Sequence, residues 1–271
     1  MRVGVVSMGP VSKSQVAPAT KGMDVPIMAI DCSTIVPQPP ACITADAEGA
    51  KLRPSHFPAW IATLGSDPIG TLCKRLNVDA VYLVAFSAGA GGLDGLLKLQ
   101  AGDKRILGCV SADAYYGLGV KQGYMAQAKA AQTSGVPFVL TSSASKDNKF
   151  AVHSGEESIQ PFLEALGMQP VEPPASVPPP EAAKAKGPVL WLDYSKFTHI
   201  EHATKVLPVV LRSMIRGELG LPGPTPPAPP EPAPERDMSA TKAIALIAGV
   251  AVGYAVVRIA TAGRLPKRRR R

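Results

Sequence analysis

Ser87 stands at the end of the apolar run 81–86, Val-Tyr-Leu-Val-Ala-Phe, and at the head of the small-residue cluster 88–92, Ala-Gly-Ala-Gly-Gly. A hydroxyl becomes a usable nucleophile when a tight strand-to-helix turn lifts it above the edge of a sheet, and only small neighbours let the backbone bend that sharply. Ala85, Ala88 and Gly89 supply them, in the order Ala-x-Ser-x-Gly, one methyl removed from Gly-x-Ser-x-Gly. Serine is weak at its own pKa, so an imidazole must take its proton and a carboxylate must hold that ring in the useful tautomer. His199 follows the apolar run 189–194 and Asp147 follows the run 136–141, which makes them the first choices for base and acid. Asp113, in Ser-Ala-Asp-Ala-Tyr-Tyr after the run 106–111, is the alternative acid, and His202 the alternative base. His199 is preferred because it precedes a helix and so falls in the loop at the sheet edge. His56 and His153 sit in loop-like or helix-start surroundings and read as exposed.

The elements that must position these groups alternate. Residues 2–7, 25–30, 80–86, 106–111, 136–141 and 189–194 read as strands. Helices are expected at 58–76 with an interruption near Asp67-Pro68, and at 91–99, 124–133, 154–167 and 200–216, the last bent or restarted at Pro208. In the fourth of these, Ser154 with Glu157 forms a capping box, Ile159, Phe162, Leu163 and Leu166 share one face, and Gly167 stops the helix. Strands separated by helices of this length predict an α/β fold with a mostly parallel sheet covered on both faces.

With a serine on the turn after a central strand, an acid after a later strand and a histidine after the last strand, residues 1–218 resemble a compact α/β-hydrolase, an esterase- or lipase-like serine hydrolase. The resemblance implies a Ser87, Asp147, His199 triad and an oxyanion hole built from the Ala88 backbone N–H and a second donor at Met8 or Gly9. Some members of that family carry the acid at the earlier place, which is Asp113 here. This chain departs from the pattern in having Met8-Gly9-Pro10 where many lipases and esterases carry a His-Gly pair, and in lacking the first two strands of larger members.

The chain of 271 residues is 46% hydrophobic, enough for one large buried core. Its net charge of +8 resides at one end: Lys242, Arg258, Arg264, Lys267 and the four terminal arginines, with no acidic residue from 239 onward, account for all of it. The remainder is neutral, so the main domain has no electrostatic reason to bind nucleic acid. Cys32, Cys42, Cys73 and Cys109 lack metal-ligand spacing, and Cys109 reads as a buried small hydrophobe. No metal or cofactor is expected. Residues 1–7 hold no apolar stretch long enough for a secretory signal.

Two proline-rich stretches punctuate the chain. Residues 170–180, with six prolines, read as a loop or small cap, and residues 219–238, with eight prolines between 222 and 234, as a stiff linker. Beyond it, in the segment 239–271, Ala243 to Ala262 are apolar or small apart from Arg258 and Thr261, and twenty helical residues would cover about 30 Å, one hydrocarbon core. The reading is a single-pass C-terminal membrane anchor of unassigned orientation, with Gly249 and Gly253 able to seat a second such helix. The function expected is a tethered serine hydrolase of an ester or related acyl bond, on a small-molecule, lipid-like or polymeric substrate. The alternatives are a docking protein that keeps the fold without the chemistry, and a nucleotide binder using Gly89, Gly91 and Gly92. Asp94 counts against the last, because it stands at the third glycine position of Gly-x-Gly-x-x-Gly.

Overall fold

The computed structural model describes residues 1–9, 13–31, 54–115, 122–143 and 156–222. Its strands are β1 Val3–Met8, β2 Ile27–Ile30, β3 Ala80–Phe86, β4 Ile106–Ala112, β5 Phe138–Ser143, β6 Gln169–Pro170, β7 Ala182–Lys186 and β8 Val189–Tyr194. They form an eight-stranded sheet in the order β2-β1-β3-β4-β5-β8-β7-β6. The pairs from β2 to β8 are parallel, while β7 runs antiparallel to β8 and β6 antiparallel to β7.

The helices are α1 Lys13–Val16, α2 Phe57–Ala62, α3 Pro68–Leu76, α4 Ala90–Gln100, α5 Gln122–Ser134, α6 Glu156–Leu166, the single turn α7 His199–Glu201 and α8 Leu207–Ile215. Side chains alternate across each strand, and the sheet buries both faces accordingly. Leu83 and Ala85 of β3, Phe138 and Leu140 of β5 and Trp191 of β8 share one core with Phe57, Trp60, Leu72, Leu93, Leu97 and Phe162. Val84 and Phe86, Val139, and Leu190 and Leu192 face the other way, against Val16, Leu207, Val210, Leu211 and Met214. Burial on both faces explains why these strands read as continuous apolar runs rather than alternating ones.

Two sequence expectations need correction. The proline-rich stretch after α6 does more than loop: β6 and β7 extend the sheet edge antiparallel to β8, Val177 enters the second core, and Tyr194 donates its hydroxyl to the Pro178 carbonyl (2.9 Å). Strong proline content hid the five-residue strand Ala182–Lys186 that follows it. The last helix is interrupted earlier than Pro208, by a π turn over His202–Val206; Pro208 sits in the first turn of α8, where a missing N–H leaves no hydrogen bond unmade. The interruption expected near Asp67-Pro68 is present: Phe57–Ala62 and Pro68–Leu76 are separate helices, and Asp67 caps α3 by accepting from the Gly70 N–H (3.1 Å). Helix α6 begins at Glu156 and buries Ile159, Phe162, Leu163 and Leu166 as expected, while Ser154 lies outside the described residues.

The order of strands has a consequence for function. From β1 the chain winds outward to β2, returns to the other side of β1 to form β3, and then proceeds through β4 and β5 towards β8. The crevice beyond the carboxyl ends of β1 and β3 is therefore the topological switch point, the place where an open parallel sheet offers room for a ligand. Backbones crowd there. A Cβ on Gly89 would stand 2.0 Å from the Met8 carbonyl oxygen, and one on Gly9, whose φ is +128°, 2.2 Å from the Phe86 carbonyl oxygen.

Among the described residues no helix is long and apolar enough to cross a membrane; the segment 243–262 lies outside them. The chain divides into two units, Met1–Thr225 and Pro226–Arg271. Leu219, near the end of the first, still packs into its second core.

Gly89→Ala sets a methyl against main chain that has no freedom to retreat. It is expected to cost about 1–3 kcal/mol in urea-induced unfolding, as overpacking does; an unchanged midpoint would show that the close approach of β1 to the turn is absent.

Candidate active site

Ser87 follows the last residue of β3 directly and opens a 3-10 turn, Ser87–Gly89, that runs into α4. Its φ is +51°, in the left-handed region that a non-glycine residue rarely occupies. Strand, strained serine, small residues and helix are the sharp elbow that the motif predicts, and residues held this way cluster at functional sites. The amide of Ala88 is the second of that turn, so it belongs to the first N–H groups that have no acceptor within the helix. An oxyanion forming on an acyl group at Ser87 would need such a donor.

The second donor does not sit where the sequence places it. Gly9 donates its N–H to the Ile30 carbonyl (3.1 Å), and Val5 likewise donates to Pro26 (2.9 Å), so odd-numbered residues of β1 turn their amides to β2. Strand alternation turns the Met8 amide the other way, into the ladder with β3, where Met8 lies opposite Ala85. Both amides belong to the sheet. The next residues, 10–12, are outside those described.

His199 begins α7, just beyond β8, and its ring stacks on Phe86, with centroids 4.5 Å apart and planes 24° from parallel. Because Phe86 immediately precedes Ser87, this stacking holds the imidazole beside the elbow. Helix α7 starts with a capping box: Thr198 accepts from the Glu201 N–H (3.3 Å) and Glu201 accepts from the Thr198 N–H (3.0 Å). A hydrogen bond from Lys205, together with those from Thr198, lowers the Glu201 carboxyl from the ordinary 4.5 to about 2, so the cap stays ionised at any physiological pH. The pattern Thr-x-x-Glu just before the last helix is the sequence signal for this cap.

The carboxylate on this imidazole is Asp113. Its Oδ2 is hydrogen-bonded to His199 Nδ1, a contact that in a neutral ring favours the tautomer with Nδ1 as donor and Nε2 as the base. Asp113 comes one residue after β4, has a left-handed φ of +43° and is fully buried. A buried carboxylate needs hydrogen bonds. Ser143, the last residue of β5, gives two: its N–H to Oδ1 (3.2 Å) and its hydroxyl to Oδ2, while the Asp113 N–H donates to the Thr141 carbonyl (2.9 Å). The acid that the sequence favours, Asp147, lies outside the described residues, and the aspartate beside His199 is the alternative one.

His202, the alternative base, faces elsewhere. It is fully buried, its Nε2 lies 2.6 Å from Thr141 Oγ1, and its ring meets Tyr194 edge to face. Burial lowers its pKa from 6.5 to about 4, with the positive charge of a protonated His199 acting in the same direction and Asp113 opposing. A neutral imidazole tied to β5 anchors the π turn behind His199 instead of reaching the serine. His56, expected on the surface, is half-buried in a 3-10 turn before α2, and His153 lies outside the described residues. Cys109 is a buried free thiol, as expected, and burial raises its pKa strongly. Among the described residues no cluster of His, Cys, Asp and Glu has metal-binding geometry.

Thr141, Ser142 and Ser143 thus do much of the positioning that sequence reasoning misses. Thr141 bonds His202, Ser142 accepts from the Trp191 indole N–H (2.9 Å), and Ser143 holds Asp113. The available signal is three consecutive hydroxyl residues closing an apolar strand.

No family model matches the chain, and no curated protein matches it. Solved structures do. A serine hydrolase without a lid from Xanthomonas campestris is 12% identical, with a TM-score of 0.43 over 83% of this chain and 84% of its own. A poly(3-hydroxybutyrate) depolymerase from Bordetella parapertussis is 15% identical, with a TM-score of 0.44 over 80% and 81%. A proline iminopeptidase from Mycobacterium smegmatis is 10% identical, with a TM-score of 0.41 over 80% and 89%.

The environment of His202 sets a pH dependence. Its folded pKa is below its unfolded one, so the unfolded chain binds an extra proton between pH 6.5 and 4, and stability falls as pH drops through that window. Unfolding free energies from urea titrations across it should slope more steeply with pH for the parent protein than for His202→Gln, by up to one proton; equal slopes would show that folding leaves the titration of His202 unchanged. In its own strand order, its elbow at the switch point and its histidine beyond the last parallel strand, this chain has the α/β-hydrolase fold.

Proposed function

We propose that this chain is a serine hydrolase of an ester, thioester or related acyl bond, in which Ser87 is the nucleophile, His199 the base and Asp113 the acid. The observation that carries the reading is the buried Asp113 carboxylate on Nδ1 of an imidazole that stacks against the residue preceding a strained elbow serine.

The chemistry follows from those positions. His199 Nε2 takes the proton of the Ser87 hydroxyl as its oxygen attacks the acyl carbon, and the Ala88 N–H stabilises the oxyanion. The imidazolium then gives that proton to the leaving alcohol or thiol, which departs and leaves an acyl-serine. Water enters, loses a proton to the same nitrogen and attacks the acyl carbon; collapse releases the acid and returns the proton to Ser87. Throughout, Asp113 stays ionised and stabilises the imidazolium.

We also propose that residues 243–262 tether the domain to a membrane and that Gly249 and Gly253 pair two such helices; the composition of the segment supports it.

Hydrolysis of short p-nitrophenyl esters by purified protein tests the assignment. Ser87→Ala and His199→Ala should each lower kcat/KM by at least about 1000-fold, and Asp113→Asn by about 100-fold or more, with Asp147→Asn close to the parent. Loss of activity in Asp147→Asn with Asp113→Asn unaffected would transfer the acid role to Asp147. Inactivity of the parent protein itself would leave the fold without this chemistry.

A further inference from the structure

Asp113 Oδ2 is shared by two donors, His199 Nδ1 on one side and the Ser143 hydroxyl on the other, while Oδ1 takes the Ser143 N–H at 3.2 Å. Ser143 therefore grips both oxygens of one carboxylate from a single residue. Two contacts fix the plane of a carboxylate where one contact leaves it free to rotate.

That plane needs fixing. Asp113 leaves β4 in a left-handed conformation, so its own strand does not aim its side chain, and burial removes the water that would otherwise hold the carboxylate. Ser143 can do so because β4 and β5 are adjacent and parallel, with Ala112 opposite Thr141, which brings the exits of the two strands side by side. Ser143 is itself buried, and its neighbours in sequence are tied to other partners, Thr141 to His202 and Ser142 to Trp191. The residue bearing the hydroxyl thus sits in a strand end that is tied on both faces.

We propose that Ser143 is a positioning residue: it orients Asp113, and through Asp113 it orients His199, without touching the reacting atoms. This role rests on the hydrolase reading and deepens it at one position. The Ser143 hydroxyl also holds part of the negative charge of Oδ2, so its removal takes a donor from the oxygen that faces His199 and loosens the grip on the carboxylate.

Ser143→Ala deletes the hydroxyl and keeps the backbone donor; Ser143→Thr keeps both. With a p-nitrophenyl ester, Ser143→Ala should lower kcat by about 10-fold to 100-fold with KM unchanged within about two-fold, and Ser143→Thr should recover most of that loss. An independent readout is the far-downfield proton resonance of His199 Nδ1–H, assigned by its loss in His199→Ala. It should shift and broaden in Ser143→Ala and return in Ser143→Thr. Should Ser143→Ala fail to fold, the near-isosteric Ser143→Cys, a weak donor, should shift the resonance in the same direction. An unmoved resonance in folded Ser143→Ala or Ser143→Cys would overturn the proposal. The resonance reports on the Ser143, Asp113 and His199 contacts even in a protein that turns over no ester, so failure of the positioning role and failure of the hydrolase reading are distinguishable.

Discussion

A buried carboxylate hydrogen-bonded to an imidazole is the constraint around which the carboxyl edge of this sheet is arranged. Asp113 brings a carboxylate into the buried interior, which is tolerable only where donors surround it. Those donors come from β5 and from the turn after β8, so three strand exits must lie side by side for one ion to be satisfied. The parallel pairing of β4 with β5 and of β5 with β8 meets that requirement, and the same pairing creates the two apolar faces that hold the sheet between its helices.

The histidine is held from three directions. Phe86 supplies a flat apolar surface, Asp113 fixes the tautomer, and the capping box of Thr198 and Glu201 sets where the helix begins. Behind it, His202 ties the π turn to Thr141. Two imidazoles three residues apart in one helical segment thus have opposite natures: one faces a carboxylate at the rim, the other is buried and neutral. Chain position alone does not distinguish them. Burial and partners do.

Much of the fold is legible because a sheet buried on both faces writes itself as separate apolar runs. The strands at 80–86 and 189–194 have the bounds read from sequence, and the elbow at Ser87 is announced by Ala85, Ala88 and Gly89. What escapes is set by contacts between distant residues. Nothing local says that the amides of Met8 and Gly9 are consumed by neighbouring strands, nor that the aspartate after β4 meets the histidine. Asp113 looks secondary in the sequence because only some members of the family that the chain resembles carry their acid so early. The hydroxyl residues at the end of β5 carry the missing information, since a buried run of Thr-Ser-Ser demands polar partners. Strand β7 escapes for another reason: it is only five residues long, and the prolines before it mask its signal.

If the hydroxyl of Ser87 is activated by this arrangement, it must react with an electrophile that ordinary serines ignore. Intact-mass analysis with peptide mapping after exposure to an alkyl fluorophosphonate tests that most directly. One adduct per chain is expected, on Ser87, formed at least about 100-fold more slowly when His199 is replaced by alanine. An unmodified, folded protein, or an adduct on another serine with Ser87 untouched, would contradict it.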